Sequence, residues 1–306
     1  SAPDWFNELR TSAAEAIRAE GFPHAKLESW EFSLVRKVLS DTYDGPVPAP
    51  AQDLVRERME RAPAGAVMPA LVFVNGRLER GLSNLRGLPE GVEAISLSGL
   101  EPFPEVRDWI GRAASFSGAD KSFRGLNLMM ADDPAVILVR PGCELKEDVQ
   151  LIFISAGQTG HRAIANPGVF VYAGEGASLS LIETHIGLEG GSYLANSCTM
   201  LAAGKGSVVR HIKVIEENSD SYHLSSVLAE LAAGAELKTH TLIRAGGLVR
   251  NEVEADLNGE GSRAELYGLY LATAGQQVEN STCIRHNKPD CKSREHYKGI
   301  LSGDAR

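Results

Sequence analysis

Gly176-Ala177-Ser178-Leu179, Gly206-Ser207-Val208-Val209, Gly234-Ala235-Glu236-Leu237 and Gly261-Ser262-Arg263-Ala264 repeat one pattern: glycine, small residue, any residue, aliphatic. Gly142-Cys143-Glu144-Leu145 precedes them, and successive glycines lie 34, 30, 28 and 27 residues apart. Self-similarity at such a period is the mark of a solenoid. Each unit holds two strand-like runs, such as 169–173 before the glycine and 178–186 after it. Two strands and two turns per repeat describe one coil of a flattened parallel β-helix. A glycine at each corner relieves the backbone where the chain bends sharply. The fold class expected is mainly β: a right-handed parallel β-helix over 131–306, incomplete at its C-terminal end, with Gly176, Gly206, Gly234 and Gly261 at equivalent corners.

The register follows by counting from the repeated glycine. Position +6 is Ile182, Ile212, His240 and Tyr267, and position +8 is Thr184, Val214, Leu242 and Leu269. These even positions are expected to form inward ladders, making His240 a buried, neutral core histidine. Position +7, with Glu183, Lys213, Thr241 and Gly268, is expected to face outward, with Glu183 and Lys213 paired on adjacent rungs. The aliphatic +3 position has the opposite parity, which calls for a bulge between +3 and +6. His185 and His211 fall at different repeat offsets and are not expected to form a ligand column.

Ahead of the repeats, residues 1–130 read as a helix-rich α+β domain. Trp5, Leu9, Ala13 and Ala16/Ile17 form one helical stripe over 4–18, stopped by Gly21 and Pro23. A second helix is expected over 51–62, with Leu54, Val55, Met59 and Ala62 inward and Arg56, Arg58 and Arg61 outward. Leu71-Val72-Phe73-Val74 followed by Asn75-Gly76 predicts a hairpin. A strand over 92–97 and helices over 104–114 and 121–130 complete the region, the last closed by Asp132-Asp133-Pro134.

Composition narrows the function classes. The chain has 306 residues, of which 43% are hydrophobic and 23% charged, enough to bury a sizeable core. Its net charge of −9 argues against nucleic-acid binding and against an anionic membrane surface. No apolar run approaches a membrane helix, no secretory signal is visible, and Ser1-Ala2 reads as a cleaved-tag scar. Four cysteines without a Cys-x-x-Cys motif read as free thiols of a cytoplasmic protein. Ala203-Gly204-Lys205-Gly206-Ser207 is not a phosphate loop, because the lysine does not precede Ser/Thr and a strand follows. Gly259-x-Gly261 lacks dinucleotide-binding spacing, and neither a Gly-x-Ser-x-Gly elbow nor a His-Glu-x-x-His motif occurs. Cys283-x-x-His286-x4-Cys291-x4-His296 has residue types suited to a soft metal or an iron–sulfur intermediate. Cys283 and His286, however, are expected on one strand at odd separation, pointing to opposite faces. No catalytic, cofactor-binding or metal-binding residue is assigned, and the isolated chain is expected to carry no stoichiometric metal.

The segment Gly21-Phe22-Pro23-His24-Ala25-Lys26-Leu27-Glu28-Ser29-Trp30-Glu31-Phe32-Ser33 resembles the opening signature of the SufD family, scaffold subunits of the SUF iron–sulfur assembly system. Gly21, Pro23, Lys26, Glu28 and Trp30 match the pattern, with conservative departures at Phe22, Glu31, Phe32 and Ser33. His286-Asn287-Lys288-Pro289, Cys291-x-Ser293 and Tyr297-Lys298-Gly299-Ile300-Leu301 resemble a block shared by SufD and its paralogue SufB. From the residues alone, Trp30 reads as an anchor for the linker, with Lys26 and Glu28 at its polar rim. Spacing gives no role to His286 or Cys291.

The resemblance implies a non-enzymatic scaffold pairing with a SufB-like paralogue and the SufC ATPase. A transient Fe-S cluster and possibly FADH2 would belong to the assembled complex, not to the isolated chain. The family's Cys-x-His-Gly segment and its SufC-docking helical region fall beyond Arg306. The resemblance therefore implies a chain without SufC docking, and an open sheet edge implies a possible homodimer. The alternative is a carbohydrate-active β-helix enzyme, a polysaccharide lyase or hydrolase, which needs clustered carboxylates on an outer face. The outward ladder expected above offers no such cluster.

Overall fold

Gly21 closes the first helix, α1 (Asp4–Glu20), in a left-handed conformation with φ +76°, its N–H bonded to the Ile17 carbonyl at 2.9 Å. The computed structural model describes residues 2–31, 33–45, 49–60, 69–86, 88, 90–132 and 134–306. Ser1, Phe32, Arg61, Ala62 and Asp133 of the sequence analysis lie outside the described residues. Helix α1 buries Phe6 and Ala13, with Trp5 and Leu9 packed at the edge of the same cluster. A short helix that the sequence analysis did not anticipate, α2 (Val35–Ser40), follows, then α3 (Gln52–Glu60). Helix α3 buries Val55 and Met59, an i, i+4 pair, which turns Leu54 outward to 55% exposure, against the expectation. Strands β1 (Ala70–Val74) and β2 (Arg77–Leu78) form the expected hairpin, with Asn75 at φ +47° and Gly76 at φ +82°. Strand β3 (Val92–Ser96) and helices α4 (Pro104–Ala113) and α5 (Ser122–Met130) complete this region.

The remainder alternates between two sheets. Strands β4 (Ala135–Val139), β5 (Val149–Ala156), β6 (Ala163–Ala165), β7 (Gly168–Ala173), β8 (Ser178–Leu188), β9 (Tyr193–Ala203) and β10 (Val208–Glu216) begin the coil. Strands β11 (Tyr222–Leu231), β12 (Glu236–Ala245), β13 (Leu248–Leu257), β14 (Arg263–Ala272), β15 (Gln277–His286) and β16 (Lys292–Leu301) continue it. One sheet runs β16-β14-β12-β10-β8-β5-β1-β2 and the other β15-β13-β11-β9-β7-β4-β3. All pairings are parallel except the β1–β2 and β3–β4 contacts. This is a parallel β-solenoid of about 5 turns. Its first rungs are extended by β1 and β3 from the helical region.

The four corner glycines stack as expected. All have φ between +65° and +70°, and Ser178, Val208, Glu236 and Arg263, each two residues later, pair in register. Asp290 takes the next corner at φ +57°, two residues before Lys292, the register partner of Arg263. The same corner is tight two residues before the glycine of the repeat. A methyl on Gly259 would strike the backbone of Ala232 and Ala233 in the preceding coil. Substitution G259A is therefore expected to lower the urea midpoint, at a cost of about 1–3 kcal/mol.

Side-chain parity is the reverse of that expected. Strands β8, β10, β12 and β14 align residue for residue, and no bulge separates +3 from +6. The odd positions therefore all face the lumen: Leu179, Val209 and Leu237 at +3, His211 and Thr239 at +5, Glu183, Lys213 and Thr241 at +7 are all buried. The even positions face out. Ile212 is 37% exposed, and His240 is exposed and stacked on Tyr267 at 5.0 Å. Partial burial and the neighbouring Lys238 lower the His240 pKa, but the residue is not in the core. Farther along β8 the outward even positions are apolar because helix α3 covers them, packing Val55 and Met59 on Ile186 and Leu188. On the other sheet, Phe6, Trp109 and Ile110 cover Phe170 and Met200. Elements covered on both faces read as continuous apolar runs, as in β1, β4 and β5.

Candidate functional site

The lumen is apolar at the glycine-corner end, where Leu179, Val209, Leu237, Leu231 and Leu257 meet, and polar at the other. Glu183, on β8, is the centre of the polar half. Its Oε1 accepts from His185 Nε2 at 2.7 Å and lies 3.3 Å from Lys213 Nζ. Its Oε2 accepts from His211 Nε2 at 2.9 Å and from Thr199 Oγ1 at 3.0 Å. His211 in turn accepts at Nδ1 from Thr239 Oγ1 at 3.1 Å. Because a carboxylate only accepts, both histidines present an N–H to it, which fixes their tautomers when neutral. Burial alone would raise the Glu183 pKa, but Lys213 and the two histidine hydrogen bonds outweigh it and hold the carboxyl well below its usual range. Burial pushes the His185 pKa down to about 4, against the pull of Glu183.

A second carboxylate stands beside the first. Glu217, in the turn after β10, accepts from Tyr193 Oη at 2.6 Å and from His223 Nδ1 at 2.8 Å. Burial would raise its pKa; the His223 hydrogen bond and charge reverse the direction. The Tyr193 hydroxyl also accepts from the Asn218 backbone N–H at 3.2 Å, so the turn is tied to the start of β9. His185 and His223 meet edge to face, with ring centroids 4.6 Å apart. One donor atom from each of His185, Glu217 and His223 lies within 4.8 Å of the other two, and all three residues are buried. Sequence analysis missed this cluster. It set Glu183 and Lys213 outside and separated His185 from His211 by offset, whereas the lumen brings both histidines to one carboxylate. The available signal was the unbroken odd parity from Leu179 onward.

The residues of the opening motif lie against the outside of the solenoid. Trp30 is buried, donates from Nε1 to the Asp120 carbonyl at 3.1 Å, and carries the Arg250 guanidinium 3.8 Å from its ring centroid. Arg250 is itself fixed by Glu252 at 2.7 Å, Glu279 at 3.0 Å and the Ser29 carbonyl at 2.8 Å. Gly21 caps α1, Pro23 is buried, and Lys26 and Glu28 are exposed.

The later motif occupies the last coil. His286 Nε2 is 3.0 Å from Ser293 Oγ, and Asn287 Nδ2 donates to Asn258 Oδ1 at 2.8 Å. Cys291 sits at a corner, its Sγ 3.3 Å from the Gly259 carbonyl and 3.4 Å from Ser262 Oγ. Tyr297 lies over Gly268, with its pKa pushed up to about 12 by burial, and Lys298 is exposed. Cys283 and His286 both lie on β15, three residues apart and thus on opposite faces. Cys283 turns outward, its Sγ 3.1 Å from Arg285 Nη1.

Beside Arg250, an ion-pair network joins α5 to the outer face of β13. Arg124 bonds Glu252 and Glu254, and Arg285 bonds Glu254 at 2.6 Å and Asp256 at 2.5 Å. Burial would raise the Glu254 pKa, but the hydrogen bonds and charges of Arg124 and Arg285 bring it down to about 2. From about 4.5 down to about 2, the unfolded chain takes up a proton that the folded chain refuses, so stability falls as pH falls through this window. Urea midpoints measured across it should fall less steeply for E254Q than for the unsubstituted chain.

Comparison with known proteins places this geometry in a family. The model of the SufBD protein N-terminal region matches residues 1–151, and that of the SUF system FeS cluster assembly SufBD core domain matches residues 153–306. The chain is similar to protein ABCI7 of Arabidopsis thaliana chloroplasts, with 26% identity over 302 residues, 96% of this chain and 62% of that protein. It is similar to the iron–sulfur cluster assembly protein SufD of Escherichia coli, with 22% identity over 304 residues, 94% of this chain and 64% of that protein. A SufBD family protein of Mycobacterium tuberculosis, Rv1462, is 30% identical over 156 residues, 51% of this chain and 38% of that protein. The chain thus spans less than two thirds of the length of these relatives. Among the described residues, no helix is long and apolar enough to cross a membrane. The repeats, the two motifs and both family models converge: the chain belongs to the SufB/SufD family of the SUF system of iron–sulfur cluster assembly.

Proposed function

We propose that the chain works as a non-catalytic scaffold in SUF iron–sulfur cluster assembly, pairing with a SufB-like paralogue and a SufC-like ATPase. The observation that carries this reading is that the two SufBD family models together match residues 1–151 and 153–306. Similarity to a protein named SufD supports the SufD role within the pair. The nascent cluster is cargo of the assembly. FADH2 is assigned to the complex by family resemblance alone. Gly259-Glu260-Gly261 opens strand β14 and not a helix, so it is not a dinucleotide-binding turn. The carbohydrate-active alternative is not favoured, because the Glu183 ladder lies inside the solenoid and the outer-face carboxylates Glu252, Glu254 and Asp256 are engaged by Arg124, Arg250 and Arg285.

Co-expression with tagged SufB and SufC tests the pairing. The expected result is retention of this chain by SufB through gel filtration. Separate elution of the chain from both proteins at micromolar concentration would contradict it.

A further inference from the structure

The polar half of the lumen has an unbalanced charge and an unused lone pair. Glu183 and Glu217 are both buried, and within the cluster only the Lys213 ammonium opposes them. Burying two carboxylates against one ammonium in a low-dielectric interior is costly and favours a further cation. His223 bonds Glu217 through Nδ1, and its Nε2 is buried without a hydrogen-bond partner. His185 gives its Nε2–H to Glu183, which leaves Nδ1 as its acceptor nitrogen. His185, whose Nε2–H is held by Glu183 while its other nitrogen accepts no hydrogen bond, has the arrangement of a metal ligand with its outer partner already in place, and an ion would take the place of the proton between His223 Nδ1 and Glu217.

From these features we infer that His185, Glu217 and His223 form a binding site for one divalent first-row transition ion, of the zinc or ferrous type, inside the solenoid. Two imidazoles and a carboxylate suit such an ion better than Mg²⁺ or Ca²⁺, which favour all-oxygen shells. One donor atom from each residue lies within 4.8 Å of the other two, so bonds of about 2.0–2.2 Å require them to close in by roughly an ångström at most. A divalent ion also supplies the missing positive charge. Three protein donors leave a coordination position for an exogenous ligand. A cavity of about 470 Å³ under α3, lined in part by Arg58, Gly187, Leu188 and Asn218, borders the two chain segments that carry the site. Gly187 lies two residues after His185, and Asn218 directly follows Glu217. The site is distinct from Cys283 and His286, whose strand geometry motivated the expectation of a metal-free chain.

The test uses the whole chain, stripped with chelator, then incubated with Zn²⁺ or, anaerobically, with Fe²⁺, and desalted. Elemental analysis should find about one ion per chain. X-ray absorption should show a nitrogen/oxygen shell with imidazole scattering at about 2.0–2.1 Å and no sulfur near 2.3 Å. The double variant C283S/C291S should retain the ion. H223Q should bind at least about 10-fold more weakly, with circular dichroism confirming its fold. If H223Q does not fold, absorption spectroscopy on the unsubstituted and cysteine-free chains decides alone. Failure to retain either ion would overturn the inference. A sulfur-containing shell, loss of the ion in C283S/C291S, or unaltered binding by folded H223Q would also overturn it.

Discussion

Substitution E183A is expected to destabilise the chain by about 3–5 kcal/mol, read as a fall in urea midpoint at neutral pH. The effect is large because one carboxylate satisfies His185, His211 and Thr199 and stands 3.3 Å from Lys213, all in the dry lumen. Its removal leaves a buried ammonium and several buried donors without partners. K213M alone should also destabilise, by leaving two carboxylates unopposed. The pair E183Q/K213M should cost less than the sum of its singles, with a coupling of about 1–3 kcal/mol, because the double variant removes both charges and keeps a carbonyl acceptor for one of the two histidines. Additive effects would show that Glu183 and Lys213 do not interact.

W30A should cost about 3–5 kcal/mol and change how the N-terminal segment sits on the solenoid. Trp30 packs on Phe123 at a centroid separation of 5.6 Å and under the Arg250 guanidinium. The truncation loses the apolar contact, the cation–π contact and the hydrogen bond to Asp120 together. Proteolysis should then cut first among residues 21–45 while β8 to β13 stay intact. W30F, which keeps most of the ring area, should lose less. Equal protease resistance in W30A and the unsubstituted chain would mean that the segment is held by other contacts.

The coil was legible in the sequence because its corners require a special backbone. A glycine at φ near +65° recurs with the period of the coil, and the period survives changes in every other side chain. The hairpin at Asn75-Gly76 was legible for the same reason. Side-chain facing was harder. Parity in a strand is fixed by which face is buried, but here helix α3 covers the outer face, so Ile186 and Leu188 are apolar outward positions. The lumen instead accepts Glu183, Lys213, His185 and His211, because they satisfy one another. A polarity rule reads such a strand inside out. Starting from Leu179 and refusing an unneeded bulge would have placed all of them correctly. Helix α2 escaped because six residues with no N-cap side-chain bond carry too little periodicity. The meeting of His185 with His223 joins β8 to β11 across the lumen, a contact that no spacing within one strand encodes.

The inward facing of the polar ladder is the claim on which the site rests, and amine-reactive footprinting of the native chain tests it directly. The Lys213 side chain is 1% exposed, against 46% for Lys238 and 70% for Lys205. Mass spectrometry after brief labelling should find Lys205 and Lys238 modified and Lys213 untouched, with Lys213 reacting only once the chain is unfolded. Modification of Lys213 in the folded chain at the rate of Lys238 would place the ladder on the outer face and contradict the account.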